Sequence, residues 1–285
     1  MRSSPLDRLL PRLRAWQGLA PVAPSALGYS LFFLLPLALL ILTALESPLA
    51  TGARLLAEGL VAKSLLTSVL LSVTTAFLSV LVGVVIAEYL HHQSPRQRFF
   101  LLWLISLPLI FSGLIVAYGF ILLLGRAGFV TLSLASLGVD PAWFGRFVYT
   151  PQGLVFVYAY FLIPRVVLLM LPVVQGLDRR QLVMAQSFGA SSFQRIRDVY
   201  LPALAPAMVS SWSLCAAVAF GAYGTALALT GSQINLLPLL LYSNISDAGS
   251  DMGSVALLAL VMMCGCLLLT LPGEWVRRRG QRRIR

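Results

Sequence analysis

The chain has 285 residues and a formal charge of +11, with 59% hydrophobic and 11% charged residues. A soluble domain carries about 25% charged residues, so this composition excludes an ordinary water-soluble globule and makes lipid the solvent. Strong positive charge also raises nucleic-acid binding, but here the Arg residues fall in the gaps between apolar runs and at the termini, a distribution that suits membrane orientation and not a nucleic-acid face.

In chain order, residues 1–25 are basic and interrupted by Pro5, Pro11, Pro21 and Pro24, which predicts a cytoplasmic N-terminal segment. Six apolar runs follow at 26–45, 65–90, 99–124, 151–174, 203–230 and 254–275. Each is long enough to cross a hydrocarbon core about 30 Å thick as a helix, and helices satisfy their own backbone hydrogen bonds in lipid. The alternating pattern of a membrane β-barrel is absent from the sequence. The expectation is an all-α integral membrane protein with six transmembrane helices spanning 26–275, followed by a basic cytoplasmic tail at 276–285. The first run is long for a signal-peptide core and no convincing small-residue cleavage site follows it, so it reads as a retained helix. Pro164, Arg165 and Pro172 predict a kinked or interrupted fourth helix. Gly221 and Gly224 lie among small residues in the fifth run, which favours close helix packing. The connections 46–64, 125–150 and 231–253 contain Gly, Pro and Ser and leave room for short helices at the membrane surface.

Positive charge sets the orientation. With the N-terminus cytoplasmic, the cytoplasmic segments hold Arg2, Arg8, Arg12, Arg14, Arg96, Arg98, Arg179, Arg180, Arg195 and Arg197. They also hold Arg277, Arg278, Arg279, Arg282, Arg283 and Arg285. The external segments hold only Arg54, Lys63, Arg126 and Arg146. Both termini are therefore expected in the cytosol, which requires an even number of helices.

Several residues have two readings. Cys215, Cys264 and Cys266 lie in apolar runs without nearby His or carboxylate, and read as small helix residues rather than a metal or disulfide set. Lys63-Ser64 lacks the glycines with which a backbone wraps a phosphate, so no ATP site is expected in this chain. His91 and His92 stand beside Glu88 at a cytoplasmic helix end, where adjacent His residues point apart and suit interfacial contacts better than a metal. Arg165 lies well inside an apolar run. It reads either as a functional intramembrane charge or as a side chain reaching for the cytoplasmic surface. Asp247 and Asp251 in the last external connection read as a solvated loop or as an entrance for a partner or a cationic solute.

The most informative stretch runs from Gly176 to Pro202, GLDRRQLVMAQSFGASSFQRIRDVYLP. Asp178 can cap a short helix to about Ser187. Gly189 permits a left-handed turn. Ser191 or Ser192 can cap a second short helix to about Tyr200, which Leu201-Pro202 ends while opening the next span. The product is a helix–turn–helix elbow with an apolar edge at Leu182, Ala185, Phe188 and Phe193. A plain surface-lying amphipathic connector is the alternative.

This elbow resembles the signature loop of the permease subunits of bacterial ATP-binding-cassette importers, the MetI-like, binding-protein-dependent transport family. That pattern is Glu-Ala-Ala, three residues, Gly, nine residues, an aliphatic residue, one residue and Leu-Pro. Ala185, Gly189, Val199, Leu201 and Pro202 fall in register, and Asp178 matches an acidic residue often found just before the pattern. Val183 stands where the family has Glu, which is thought to anchor the loop, and Met184 stands at the first Ala. Leu107–Gly119 and Ala219–Leu229 look like stretches of the branch that serves spermidine/putrescine, ferric iron, thiamine and similar solutes.

The resemblance implies that Asp178, Ala185, Phe188, Gly189, Ala190, Phe193, Arg195, Val199, Leu201 and Pro202 couple the chain to separate ATPase subunits, which bind ATP and magnesium. This chain itself is expected to bind no cofactor or metal and to catalyse nothing. It further implies a second permease subunit, a copy or a paralogue, a periplasmic solute-binding protein, and residence in the bacterial inner membrane. Tyr118, Tyr158, Tyr160, Ser213, Tyr223 and Thr225 are candidates for the translocation pathway, with interhelical packing as the competing reading. A secondary transporter or channel is the second hypothesis, but Glu88 and Glu274 sit at helix ends and no acid lies mid-helix. A membrane enzyme is the third, and no catalytic constellation is recognisable. The solute stays open among polyamine, ferric iron, thiamine and an anion such as sulfate.

Overall fold

The computed structural model describes residues 23–45, 59–231, 234–246 and 252–282. The expectations for residues 1–22, Arg54, Asp247, Asp251 and the end of the basic tail lie outside the described residues. Six stretches are long and apolar enough to cross a membrane: Pro24–Leu45, Leu60–His91, Gly113–Ala135, Pro151–Gly176, Ser192–Phe220 and Met252–Arg279.

The first of these is built from α1 (Ala23–Tyr29), a π-helical stretch at Ser30–Leu34 and α2 (Leu35–Leu45). It is almost wholly exposed, with Leu27, Phe32 and Leu42 facing outward, and it leans on one other span, α14 (Met252–Arg282). The core lies elsewhere. It is formed by α3 (Leu60–His91), α8 (Pro151–Gly176), α11 (Leu201–Phe220) and α14.

In lipid the usual division of residues turns over, because hydrocarbon accepts Leu as readily as a protein interior does. Leu66, Leu70, Phe77 and Val85 of α3 are exposed, while Ser64, Ser68, Ser72, Thr75 and Ser79 are buried at helical spacing. Small side chains on that stripe let α8 and α11 approach closely. Two of these hydroxyls find local acceptors: Ser72 donates to the Ser68 carbonyl, and Thr75 Oγ1 donates to the Leu71 carbonyl at 2.7 Å, whereas Ser64 Oγ and Ser79 Oγ are buried without a partner among the described residues. The same stripe receives α13 (Leu237–Ser246), whose Leu237 N–H donates to Ser68 Oγ at 2.8 Å. Thus α13 tucks its first turn into the bundle instead of lying on the surface, since Leu237, Pro238 and Leu239 are buried.

Gly83 is where α3 comes close against α8. A Cβ there would sit 2.6 Å from Val166 Cγ1 of α8. Gly83→Val is expected to destabilise the bundle by about 1–3 kcal/mol through overpacking. Thermal unfolding in detergent measures this, and Val166→Ala in the same chain should restore part of the loss.

Three expectations need correction. The third run, 99–124, is not one span. It divides into α4 (Pro95–Ser106), a 3₁₀ turn at Leu107–Leu109 and α5 (Gly113–Leu124). Pro108 removes a backbone donor and Ser112 starts a new helix by accepting from Ile115 N at 3.5 Å, so the span begins at Gly113. It extends into α6 (Phe129–Ala135), and α7 (Pro141–Arg146) also occupies the 125–150 connection. The fifth run breaks at Gly221-Ala222 into α11 and α12 (Tyr223–Thr230). There the Tyr158 hydroxyl donates to the Ala222 carbonyl at 2.6 Å, which satisfies a group the break leaves free in lipid. The fourth helix runs from Pro151 to Gly176 without interruption through Pro164 and Pro172. Its packing along α3, with Leu162, Val166, Val167 and Met170 fully buried, outweighs the local cost of proline, about 3 kcal/mol.

Candidate functional site

The elbow forms as a pair of capped arms. Asp178 Oδ1 accepts from Arg180 N at 3.0 Å and starts α9 (Arg180–Ser187). Gly189 ends it with φ +82°. The Ala190 N–H reaches the Ala185 carbonyl at 3.1 Å and the Gly189 N–H reaches the Gln186 carbonyl at 2.9 Å, the paired bonds of a left-handed helix stop. Ser191 and Gln194 then cap α10 (Ser192–Arg195) reciprocally, each side chain accepting from the other's backbone N–H. Arg195 crosses the bend: its Nη1 donates to Gln186 Oε1 at 2.8 Å and its Nη2 to Ser192 Oγ at 2.9 Å.

The second arm differs from expectation. Leu201-Pro202 does not end it. After α10 a π-helical turn covers Ile196–Tyr200 and continues directly into α11, with the Leu201 N–H donating to the Ile196 carbonyl. The hydrogen-bond ladder has already slipped by one residue where Pro202 lacks its donor, so the proline ring is accommodated without a break. The arm and the fifth span are one helical run from Ser192 to Phe220.

Glu88, near the C-terminal end of α3, holds the base of both arms. Arg179 Nη2 donates to its Oε1 at 2.7 Å, the Tyr200 hydroxyl donates to its Oε2, and His92 Nε2 lies 3.1 Å from Oε1. A cleft of about 300 Å³ opens here, lined by Glu88, Arg179, Leu182, Ser192, Arg195, Ile196 and Tyr200. The sequence reading passed over this role for Glu88. The signal was an acid at a span's end in a chain with only ten Asp and Glu. No group of three or more His, Cys, Asp or Glu suited to a metal occurs among the described residues.

The outer surface of the elbow is apolar. Phe188 is 88% exposed and Phe193 69%, and Val183, Met184 and Ile196 are exposed beside them. Ala185, Ala190 and Val199 are half-buried against the bend. Contiguous exposed apolar side chains rimmed by Arg mark a surface that meets another protein.

The pathway candidates scatter. Tyr158 is buried on Ala222. Ser213 is buried and accepts from Gly273 N at 2.9 Å. Tyr118 and Tyr160 are exposed, and Tyr223 lies tilted against Tyr242 with centroids 4.8 Å apart and ring planes at 39°. Thr225 borders a cavity that it shares with Arg165, and Ser213 borders a different one with Glu274 and Arg277.

A family model described as the binding-protein-dependent transport system inner membrane component matches residues 79–282. The chain belongs to that family. One relative, the spermidine/putrescine transport system permease protein PotB of Haemophilus influenzae, is 29% identical over 60% of this chain and 59% of its own length. The chain thus spans about three fifths of that curated relative. The fold is that of a crystallised bacterial ABC transporter involved in import of the acidic polysaccharide alginate, with TM-score 0.72, 18% identity and coverage of 95% and 99% of the two chains. A second crystal structure is that of the alginate transporter in complex with an alginate pentasaccharide-bound periplasmic protein. It matches with TM-score 0.68 and 16% identity over 95% and 97% of the chains.

Proposed function

We propose that this chain is the permease subunit of an ATP-driven importer in the bacterial inner membrane, with both termini in the cytosol. The elbow at 176–202 seats on a separate subunit that binds magnesium and ATP. Closure of two such subunits drives the elbows, and the attached spans switch the pathway between outward and inward access. A second permease half, a copy or a paralogue, completes the pathway, because the six spans of one chain are too few to enclose it. A periplasmic binding protein delivers the solute. The chain holds no cofactor or metal of its own.

The observation that carries this reading is the bend itself. Five apolar side chains stand exposed on a rigid, doubly capped elbow that is continuous with the fifth span. Family membership, the likeness to PotB and the alginate-importer fold support the same reading. They do not select a solute, since one related protein is named for a cationic polyamine and the other for an acidic polysaccharide.

Affinity purification of the tagged chain from its native membrane tests the proposal. An ATP-hydrolysing subunit is expected to copurify, and Phe188→Glu should strip it away while the chain stays in the membrane. Solute uptake by vesicles holding this chain alone would overturn the reading.

A further inference from the structure

Arg165 sits two residues past the middle of the 26-residue α8, so its Cα lies about 16 Å along the axis from the cytoplasmic end. That distance exceeds the reach of an Arg side chain to the end of its own helix. The side chain is half-buried and borders a cavity of about 420 Å³ where α5 and α12 both begin. Ser112, Phe161, Ala222, Gly224 and Thr225 complete its relevant wall. No carboxylate lines it, and among the described residues the guanidinium has no recorded hydrogen bond or ion pair. Of the described acids, Glu88, Asp140 and Asp178 lie at helix ends or connections, Asp198 in the π-helical turn of the elbow and Glu274 within α14, and none of them lines this cavity. An uncompensated charge at this depth is costly and persists where a ligand supplies the opposite sign.

The rest of the wall fits that sign. Two helices present their N-terminal ends here, where backbone N–H groups lack partners and the dipole is positive. Ser112 starts α5, and α12 starts at Ala222 without a side-chain cap. The hydroxyls of Ser112 and Thr225 are able to donate to an anion. Gly113 keeps the site open, because a Cβ there would lie 2.2 Å from Thr225 Oγ1 and displace it.

We propose that this cavity is an anion-binding station on the translocation pathway, with Arg165 as the countercharge, and that the carried solute bears an oxyanion group. This rests on the importer reading and narrows its solute class. The test is charge-selective labelling of Ala222→Cys in a chain carrying Cys215→Ala, Cys264→Ala and Cys266→Ala. The full chain is reconstituted in lipid vesicles and treated with the anionic sulfonatoethyl and the cationic trimethylammonioethyl methanethiosulfonates. After correction for their rates with a free thiol, the anionic reagent should react about tenfold faster, as expected from one nearby unit charge of opposite sign. Arg165→Lys should keep that preference and Arg165→Gln should abolish it. Millimolar sulfate, molybdate or phosphonate should slow the labelling, and spermidine should not.

Absence of labelling, a cationic preference, or a preference that survives Arg165→Gln would each overturn the proposal. Slowing by spermidine in place of the anions would do the same. The labelling needs no ATPase, so failure here with an ATPase still copurifying rejects the anion site alone. An intact anion preference without any ATPase partner rejects the importer reading and leaves the site standing.

Discussion

Gly189→Val is expected to cut ATPase copurification by more than tenfold while leaving the amount of chain in the membrane unchanged. Space is not the reason, since nothing lies within 4 Å of a Cβ built at this position. Conformation is. At φ +82° an ordinary L-residue pays about 1–2 kcal/mol, and a β-branched one more. The eight-residue α9 is too short to hold itself together in isolation, and both backbone bonds that close it depend on the left-handed turn. Valine would unwind its last turn and carry Met184 and Phe188 away from the docking surface. Gly189→Asn should fall between valine and the parent, because asparagine tolerates the left-handed region better. Undiminished copurification with valine would show that the bend does not set the docking geometry.

Removal of Glu88 is expected to loosen the elbow as a unit. Its carboxylate accepts from Arg179 at 2.7 Å and from Tyr200, with His92 at 3.1 Å. Hydrogen bonds to a charged group contribute about 1.5–3 kcal/mol each when shielded. Side-chain exposures of 29% for Glu88 and 35% for Arg179 place the cluster between surface and interior, so about 2 kcal/mol for the set is the reasonable scale. Local opening of the elbow should then rise about 30-fold. Trypsin cleavage after Arg179 and Arg180, measured on the folded chain in detergent, reads that opening directly. Glu88→Ala should accelerate it fully and Tyr200→Phe partly. Cleavage at the parent rate in Glu88→Ala would mean that the capped arms hold themselves.

The span count and the elbow were legible in the sequence for different reasons. Apolar length alone identifies a membrane helix, so the runs containing α3, α8 and α14 stand out without knowledge of partners. Asp178, Gly189 and Ser191 are local signals, and local capping bonds did form at all three. The misreadings at the fourth span and the second arm share one cause. Pro108, Pro164, Pro172 and Pro202 carry the same backbone chemistry, yet only the first coincides with a break. Burial against α3 overrides the prolines of α8, and a π-helical slip absorbs Pro202. Neither compensation is local in sequence. Glu88 was hidden for the same reason. The family pattern directs attention to position 183, where Val183 is exposed, while the acid that anchors the elbow comes from another helix.

The merger of elbow and span has a mechanical corollary. A helical run from Ser192 to Phe220 is about 43 Å long and acts as a single lever. Tilting it about 10° around its midpoint moves each end about 4 Å in opposite directions, given that length. One end carries Phe193, and the other leads into Gly221 and Ala222, where Ala222 lines the Arg165 chamber. Movement of the Phe193 end would thus reach the chamber mouth through one helical run, whose places to bend are the π-helical turn at Ile196–Tyr200 and Pro206.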